Sequence, residues 1–260
     1  PPDSKPAQEL FVRATQRDMD AYETLISAAS KGDTPSAFYA ALINDPGYVR
    51  GSSGDLNKAI ELYELASKKF TVATHNLALL LLKLDDPKEG ARAIELLEQS
   101  AAKGRLESML LAATLLDNGW RGIPKNPAKA VDWYEKAVTT YKDPRAELQL
   151  GKAYQDGYGR DQDGAKAQMY LQAGAKDGMI EAQYRMAALA DSESVAAQWL
   201  VIAALNDPKY NNDATAALTQ FNTRQQFNIR RNAEMWLHAH GSATKQISLL
   251  TSFTAPVEVP

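Results

Sequence analysis

The chain has 260 residues, 45% of them hydrophobic, with a formal net charge of −3 and no cysteine. That length suits a helical array of about six two-helix units at roughly 35 residues each. Lacking cysteine, it has no disulfide, thiolate metal site or cysteine nucleophile. No run of about 18 apolar residues marks a transmembrane helix, and dispersed Lys and Arg mark no nucleic-acid tract.

In chain order, Pro1-Pro2-Asp3-Ser4-Lys5-Pro6 opens without methionine and reads as a proline-rich tether over residues 1–10, with a segment expected upstream. Residues 11–54 read as a degenerate capping unit, because AASKGDTPSAFYAAL from Ala28 repeats half of a pattern that is complete further on. Gly51-Ser52-Ser53-Gly54-Asp55 lacks the Lys-Ser/Thr and the preceding strand of a phosphate-binding loop. It reads as a connector ending in a helix cap, Asp55.

Residues 55–205 repeat. A basic residue followed by Ala recurs at Lys58-Ala59, Arg92-Ala93, Lys129-Ala130 and Lys166-Ala167, at spacings of 34, 37 and 37 residues. Each unit predicts two helices. In the best-kept one, Ala130, Trp133, Tyr134 and Ala137 share one helical face, and Asp132, Glu135, Lys136 and Thr139 lie opposite. Ala146, Leu150, Ala153 and Tyr154 form the stripe of the next helix. Gly104 and Gly178 suit helix exits, Gly119, Gly122, Gly157 and Gly159 suit connectors, and Asn126-Pro127 suits a helix start. Ala196 and Trp199 keep the spacing of Ala130 and Trp133, as do Ala233 and Trp236 in a terminal echo. Residues 206–260 read as an irregular segment, from Asn206 to Asn228, followed by C-terminal capping helices and a loop-like tail from Thr251. No stretch alternates as a strand does, so the fold class is all-α.

No constellation points to catalysis, a metal or a cofactor. His238 and His240 project about 200° apart on a helix and cannot share a ligand there. His75 stands alone in a helix, as a satisfied or solvent-facing residue, and Asp85-Asp86 has no partner base. Tyr63, Trp133, Tyr134, Tyr170, Trp199 and Trp236 fall on apolar stripes. Trp120, Tyr141, Tyr158, Tyr210 and Phe221 fall in connectors or between units, where aromatic residues are placed to grip a partner.

The order KAxxWYxKA, a loop, then AxxxLGxxYxxGxG resembles the Sel-one-like repeat, a relative of the tetratricopeptide repeat. Lys129, Ala130, Trp133, Tyr134, Lys136, Ala137, Ala146, Leu150, Gly151, Tyr154, Gly157 and Gly159 carry the likeness. The resemblance implies a right-handed α/α superhelix of about six helix-turn-helix repeats whose first helices line a concave face. It implies a non-catalytic protein-interaction scaffold, such as a bacterial envelope adaptor in a secretion or polysaccharide-export assembly. That setting is periplasmic or outer-membrane-tethered; the alternative is a cytosolic signalling module binding one partner by its concave face. In that register the groove presents Glu61, Glu64, Glu95, Glu98, Asp132, Glu135, Lys136 and Gln168, an acidic strip for a partner with a basic surface. The same residues also suit ordinary solvated faces, and the alternative docking points are the connectors around Trp120 and Tyr158 or the irregular segment after Asn206.

Overall fold

A computed structural model describes residues 2–48, 54–84 and 86–251. Among these the chain forms fourteen α-helices and two single-turn 3-10 segments, with no strand. It divides into two compact units, residues 1–125 and 126–260. The first holds α1 (Lys5–Thr15), α2 (Met19–Ser30), α3 (Thr34–Asn44), α4 (Leu56–Ser67), α5 (Thr71–Leu82), α6 (Pro87–Ala102) and α7 (Leu106–Asn118). The second holds α8 (Pro127–Tyr141), α9 (Pro144–Asp156), α10 (Gly164–Lys176), α11 (Ile180–Met186), α12 (Glu193–Asn206), α13 (Asn211–Leu218) and α14 (Thr223–Thr251). Within the first unit each helix packs on the next, and within the second α12 is the hub for α11, α13 and α14.

Local chemistry sets the helix ends. Asp18, Asp33, Asp55 and Asp86 in the first unit, and Asn126, Asp143, Asp163 and Ser192 in the second, each accept a backbone N–H of the opening turn. Such caps satisfy donors that a helix start leaves open, each stabilising by about 1 kcal/mol. Gly104 and Gly178 close α6 and α10 at φ of +92° and +87°, a backbone that disfavours any side chain with a Cβ. The cores are alanine-rich joints filled by larger groups. Tyr63, Leu97, Leu150 and Leu171 are completely or almost completely buried, each contributing roughly 1.5–3 kcal/mol by leaving water.

Three boundaries differ from the sequence reading. Residues 5–10 are helical, not a tether: Ala7, Leu10, Phe11 and Ala14 make one apolar face, and Pro6 stands in the first turn, where proline is tolerated. Pro2 is buried, its carbonyl accepting from Tyr39 Oη at 3.1 Å, and Phe11 packs on the Tyr39 ring at 5.4 Å. The segment from Asn206 to Asn228 is not irregular but holds a 3-10 turn at Pro208–Tyr210, α13 and the start of α14. Its last break is a reciprocal cap, Asn222 Oδ1 accepting from Gln225 N and Gln225 Oε1 from Asn222 N, both at 3.0 Å. Finally, the boundary between the two compact units, at Lys125 and Asn126, falls inside the 55–205 repeat block. Residues 51–53, Asp85 and the tail beyond Thr251 lie outside the described residues.

Candidate partner-binding faces

The residues that define the repeat are spent on packing. Ala59, Ala93, Ala130 and Ala167 are all fully buried. Gly122 and Gly159 perform the same task in the two units, at φ of +73° and +75°. Each lets a connector press against the carbonyl of a helix-opening proline, Pro87 in one case and Pro127 in the other, where a Cβ would collide. What remains for a partner is therefore the solvent side of the helices.

In the first unit that side carries the expected carboxylates. Glu61 and Glu95 are exposed, and Glu64 and Glu98 are half-buried. They are not a bare acidic row. Glu61 pairs with Lys58 at 3.3 Å, and Glu64 meets Arg92 across the α4–α6 joint at 2.5 Å, with Glu89 on the other side of that guanidinium at 3.6 Å. Around the Glu64–Arg92 pair the carboxylates still outnumber the cations.

In the second unit the row is largely neutralised. Arg160, from the connector after α9, pairs with Asp132 and lies 3.7 Å from Glu135. Glu135 also accepts from Tyr154 Oη at 2.9 Å. Lys136 lies over the Trp133 ring at 5.2 Å, and Gln168 is exposed on α10. The predicted strip is thus split between the units, and cations fill its second half.

The connector aromatics differ from one another. Trp120 is half-buried, tied to Ile123 by an antiparallel bridge and covered by Arg121 at 5.7 Å. It closes its own connector, whereas Tyr158 is 45% exposed. Tyr210 stacks on Tyr184 at 4.5 Å, and Phe221 packs against the core of the second unit. Of the stripe aromatics, Tyr63, Tyr134 and Trp199 are buried, while Trp133, Tyr170 and Trp236 are half-buried.

Sequence reasoning missed three polar features. One is a ladder between α9 and α11: Lys152 pairs with Glu181 at 3.0 Å, and Arg185 with Glu181, Gln155 and Asp156 at 3.4, 2.8 and 3.2 Å. The Glu181–Arg185 spacing of i, i+4 was its available signal. The second is a buried chain in the first unit. His75 Nδ1 lies 2.8 Å from Ser108 Oγ, which donates to Ser100 Oγ at 2.7 Å, which donates to the Thr71 carbonyl at 3.3 Å. Since each hydroxyl has one proton to give, His75 is the tautomer with its proton on Nδ1. Burial, then the Arg105 charge, lowers its pKa to about 4. A Ser–His contact resembles a nucleophile with its base, but Ser100 and Ser108 are completely buried. No substrate reaches them, and the chain is a strut joining α5, α6 and α7.

The third is Glu147 on α9, 7% exposed, with Oε2 buried and given no hydrogen-bond partner among the described residues. Burial, then the charges of Asp177 and Asp143, raise its pKa to about 7, against the pull of Lys142. Among the described residues no three His, Asp or Glu side chains are placed to hold a metal ion. His238 is exposed on α14, while His240 turns back to stack on Trp236 at 4.4 Å.

Among the solved structures that resemble the chain, two are Sel1-type repeat proteins. One is c5321, a protective antigen of uropathogenic Escherichia coli strains displaying an SLR fold, at 17% identity and a TM-score of 0.49, covering 90% of this chain. This chain spans 59% of that antigen's length. The other is a Sel1 repeat protein from Oxalobacter formigenes, at 23% identity and a TM-score of 0.49, covering 65% of this chain and 69% of its own. No curated protein matches the chain. The Sel1 repeat profile matches residues 35–69, 71–104, 106–139 and 144–179. These stretches cover α3 and α4, α5 and α6, α7 and most of α8, and α9 and α10, half a unit out of phase with the units read from the sequence. The helices read as first in each unit are therefore second, and their place on a concave face no longer follows from that order. With the four matches spanning over half its length, the chain belongs to the Sel1 repeat family.

Proposed function

We propose that this chain is a non-catalytic scaffold that docks a partner protein carrying Lys and Arg on the exposed carboxylate face of α4 and α6. Sel1 repeats generally serve as protein–protein interaction modules. The observation that carries the reading is the division of labour within each helix. The signature alanines are wholly buried, and Glu61 and Glu95 stand exposed on the opposite side. The docking face is assigned by exposure and charge, not by concavity, because α4 and α6 are second helices of their matched pairs. Carboxylate pairing with a basic partner speeds association and weakens with salt.

The test is retention of partner proteins on the immobilised chain, compared with a Glu61→Lys/Glu95→Lys variant. Retention that falls in the variant, with an unchanged helical spectrum, supports the reading. Equal retention would move the face to Tyr158 and the neighbouring connector. An envelope setting, periplasmic or outer-membrane-tethered, is carried over from the family resemblance alone. Finding the full-length protein in the cytosolic fraction would replace it with the signalling-module reading.

A further inference from the structure

Helix α14 has two faces of different chemistry. On one, Ile229 and Ala233 are buried, and Trp236 meets Trp199 of α12 edge-to-face at 5.1 Å. On the other, Arg224, Phe227, Arg231, Met235 and His238 follow one another at steps of three, four, four and three residues, which align them along one stripe. All five are exposed. At 64%, Phe227 is the most exposed large apolar side chain among the described residues, and Met235 is close behind at 59%. Arg230 flanks the stripe, with Glu234 the one carboxylate beside it between Thr223 and His240.

The arginines here are unlike most of those elsewhere, although Arg17 too meets no carboxylate among the described residues. Arg13, Arg92, Arg105, Arg145, Arg160 and Arg185 each meet a carboxylate within 4.0 Å. Arg224, Arg230 and Arg231 meet none among the described residues. Three cations left without carboxylates, with the most exposed phenylalanine seated among them, are the two ingredients of a protein-docking surface: anchors to fill pockets and guanidiniums to pair bidentately.

We propose that α14 docks an acidic amphipathic helix of a partner protein. Phe227 and Met235 seat between that helix's apolar side chains, and Arg224, Arg230 and Arg231 pair with its carboxylates. The four steps from Arg224 to His238 average 3.5 residues, the seam spacing of two packed helices. A membrane surface fits less well, because an interfacial helix buries a broad apolar face, and here an arginine separates the two apolar members of a narrow stripe. The net charge of −3 repels acidic polymers in general, so capture of an acidic helix depends on this local stripe. The inference does not rest on the carboxylate face of α4 and α6.

The probe is a fluorescein-labelled helical heptad-repeat peptide with Leu on its seam and Glu flanking it, beside a counterpart with Lys in place of Glu. Anisotropy with the full chain is expected to show binding of the Glu peptide, weakened by salt, and none of the Lys peptide. Phe227→Ser with Met235→Ser should weaken binding about tenfold or more. Arg224→Glu/Arg230→Glu/Arg231→Glu should reverse the preference to the Lys peptide, a result that misfolding does not produce. No binding of the Glu peptide, or equal binding by the native chain and the triple variant, overturns the proposal. So does pelleting with phosphatidylglycerol vesicles that the triple variant loses while the peptide goes unbound, which would assign the stripe to a lipid surface. Self-association lost in the triple variant without peptide binding would assign it to a second copy, and also overturns it.

Discussion

His75 in the first unit and Glu147 in the second are both buried to 7% exposure on helices that open a matched repeat, yet the two units hold them oppositely. His75 has a partner and is held neutral by losing its affinity for a proton, with a pKa of about 4 against an ordinary 6.5. Glu147 Oε2 has no hydrogen-bond partner among the described residues, and the side chain favours its neutral form by keeping its proton, with a pKa of about 7 against an ordinary 4.5. The lesson is that one architecture, demanding a neutral side chain at a helix joint, gives opposite pH dependence according to whether a base or an acid fills the place. His75 contributes stability that is fully present above pH 6.5 and is lost as pH falls towards 4. Glu147 contributes stability that is fully present below pH 4.5 and is lost as pH rises through about 7.

The largest effect expected is on the acid side of the first unit. Between pH 6.5 and 4, protection of the α5–α7 amides should fall by about 3 kcal/mol, and His75→Gln should flatten that fall. A fall of the same size in the variant would assign it to another group. Next is the alkaline side of the second unit. Glu147→Gln keeps the neutral shape without the titration, so at pH 9 the variant's α9–α10 amides should be better protected than the native ones by about 2 kcal/mol. Equal protection at that pH would mean that Glu147 ionises without strain.

Where the units are alike, they should respond alike. Ala93→Leu and Ala130→Leu each insert bulk at a fully buried joint and should each cost about 2 kcal/mol in urea melts. One tolerated and one not would show that the repeat joints differ. The smallest effect concerns the surface. Asp132→Ala removes an exposed pair with Arg160 and should lie within about 0.5 kcal/mol of neutral.

The individual helices were legible because periodicity and caps are local, whereas their grouping into repeats was read half a unit out of phase. Ala130, Trp133, Tyr134 and Ala137 give the face of α8 and Asn126 its cap, as Asp55 gives the cap of α4, without knowledge of neighbours. Two misreadings concerned signals that were present. Prolines at 1, 2 and 6 suggested a tether although Ala7, Leu10, Phe11 and Ala14 already spelled a helix, and Asn222 with Gln225 is a capping box. The rest depends on tertiary approach. Glu147 shares a face with Gly151 and Tyr154, and that face is buried because Gly151 admits Leu171, whose Cγ would lie 2.5 Å from any Cβ there. The partners of Asp132 and Glu64, Arg160 and Arg92, come from 28 residues away, so an acidic strip read from sequence could not show its own neutralisation. The unpaired arginines of α14 were likewise visible only once their neighbours were placed.

The most direct test of the opposed units is amide hydrogen exchange on the intact chain at pH 5 and pH 9, with each peptide's intrinsic rate divided out. From pH 9 to pH 5 the account predicts that α5–α7 lose protection while α9–α10 gain it. Protection that rises or falls together in both regions would contradict it.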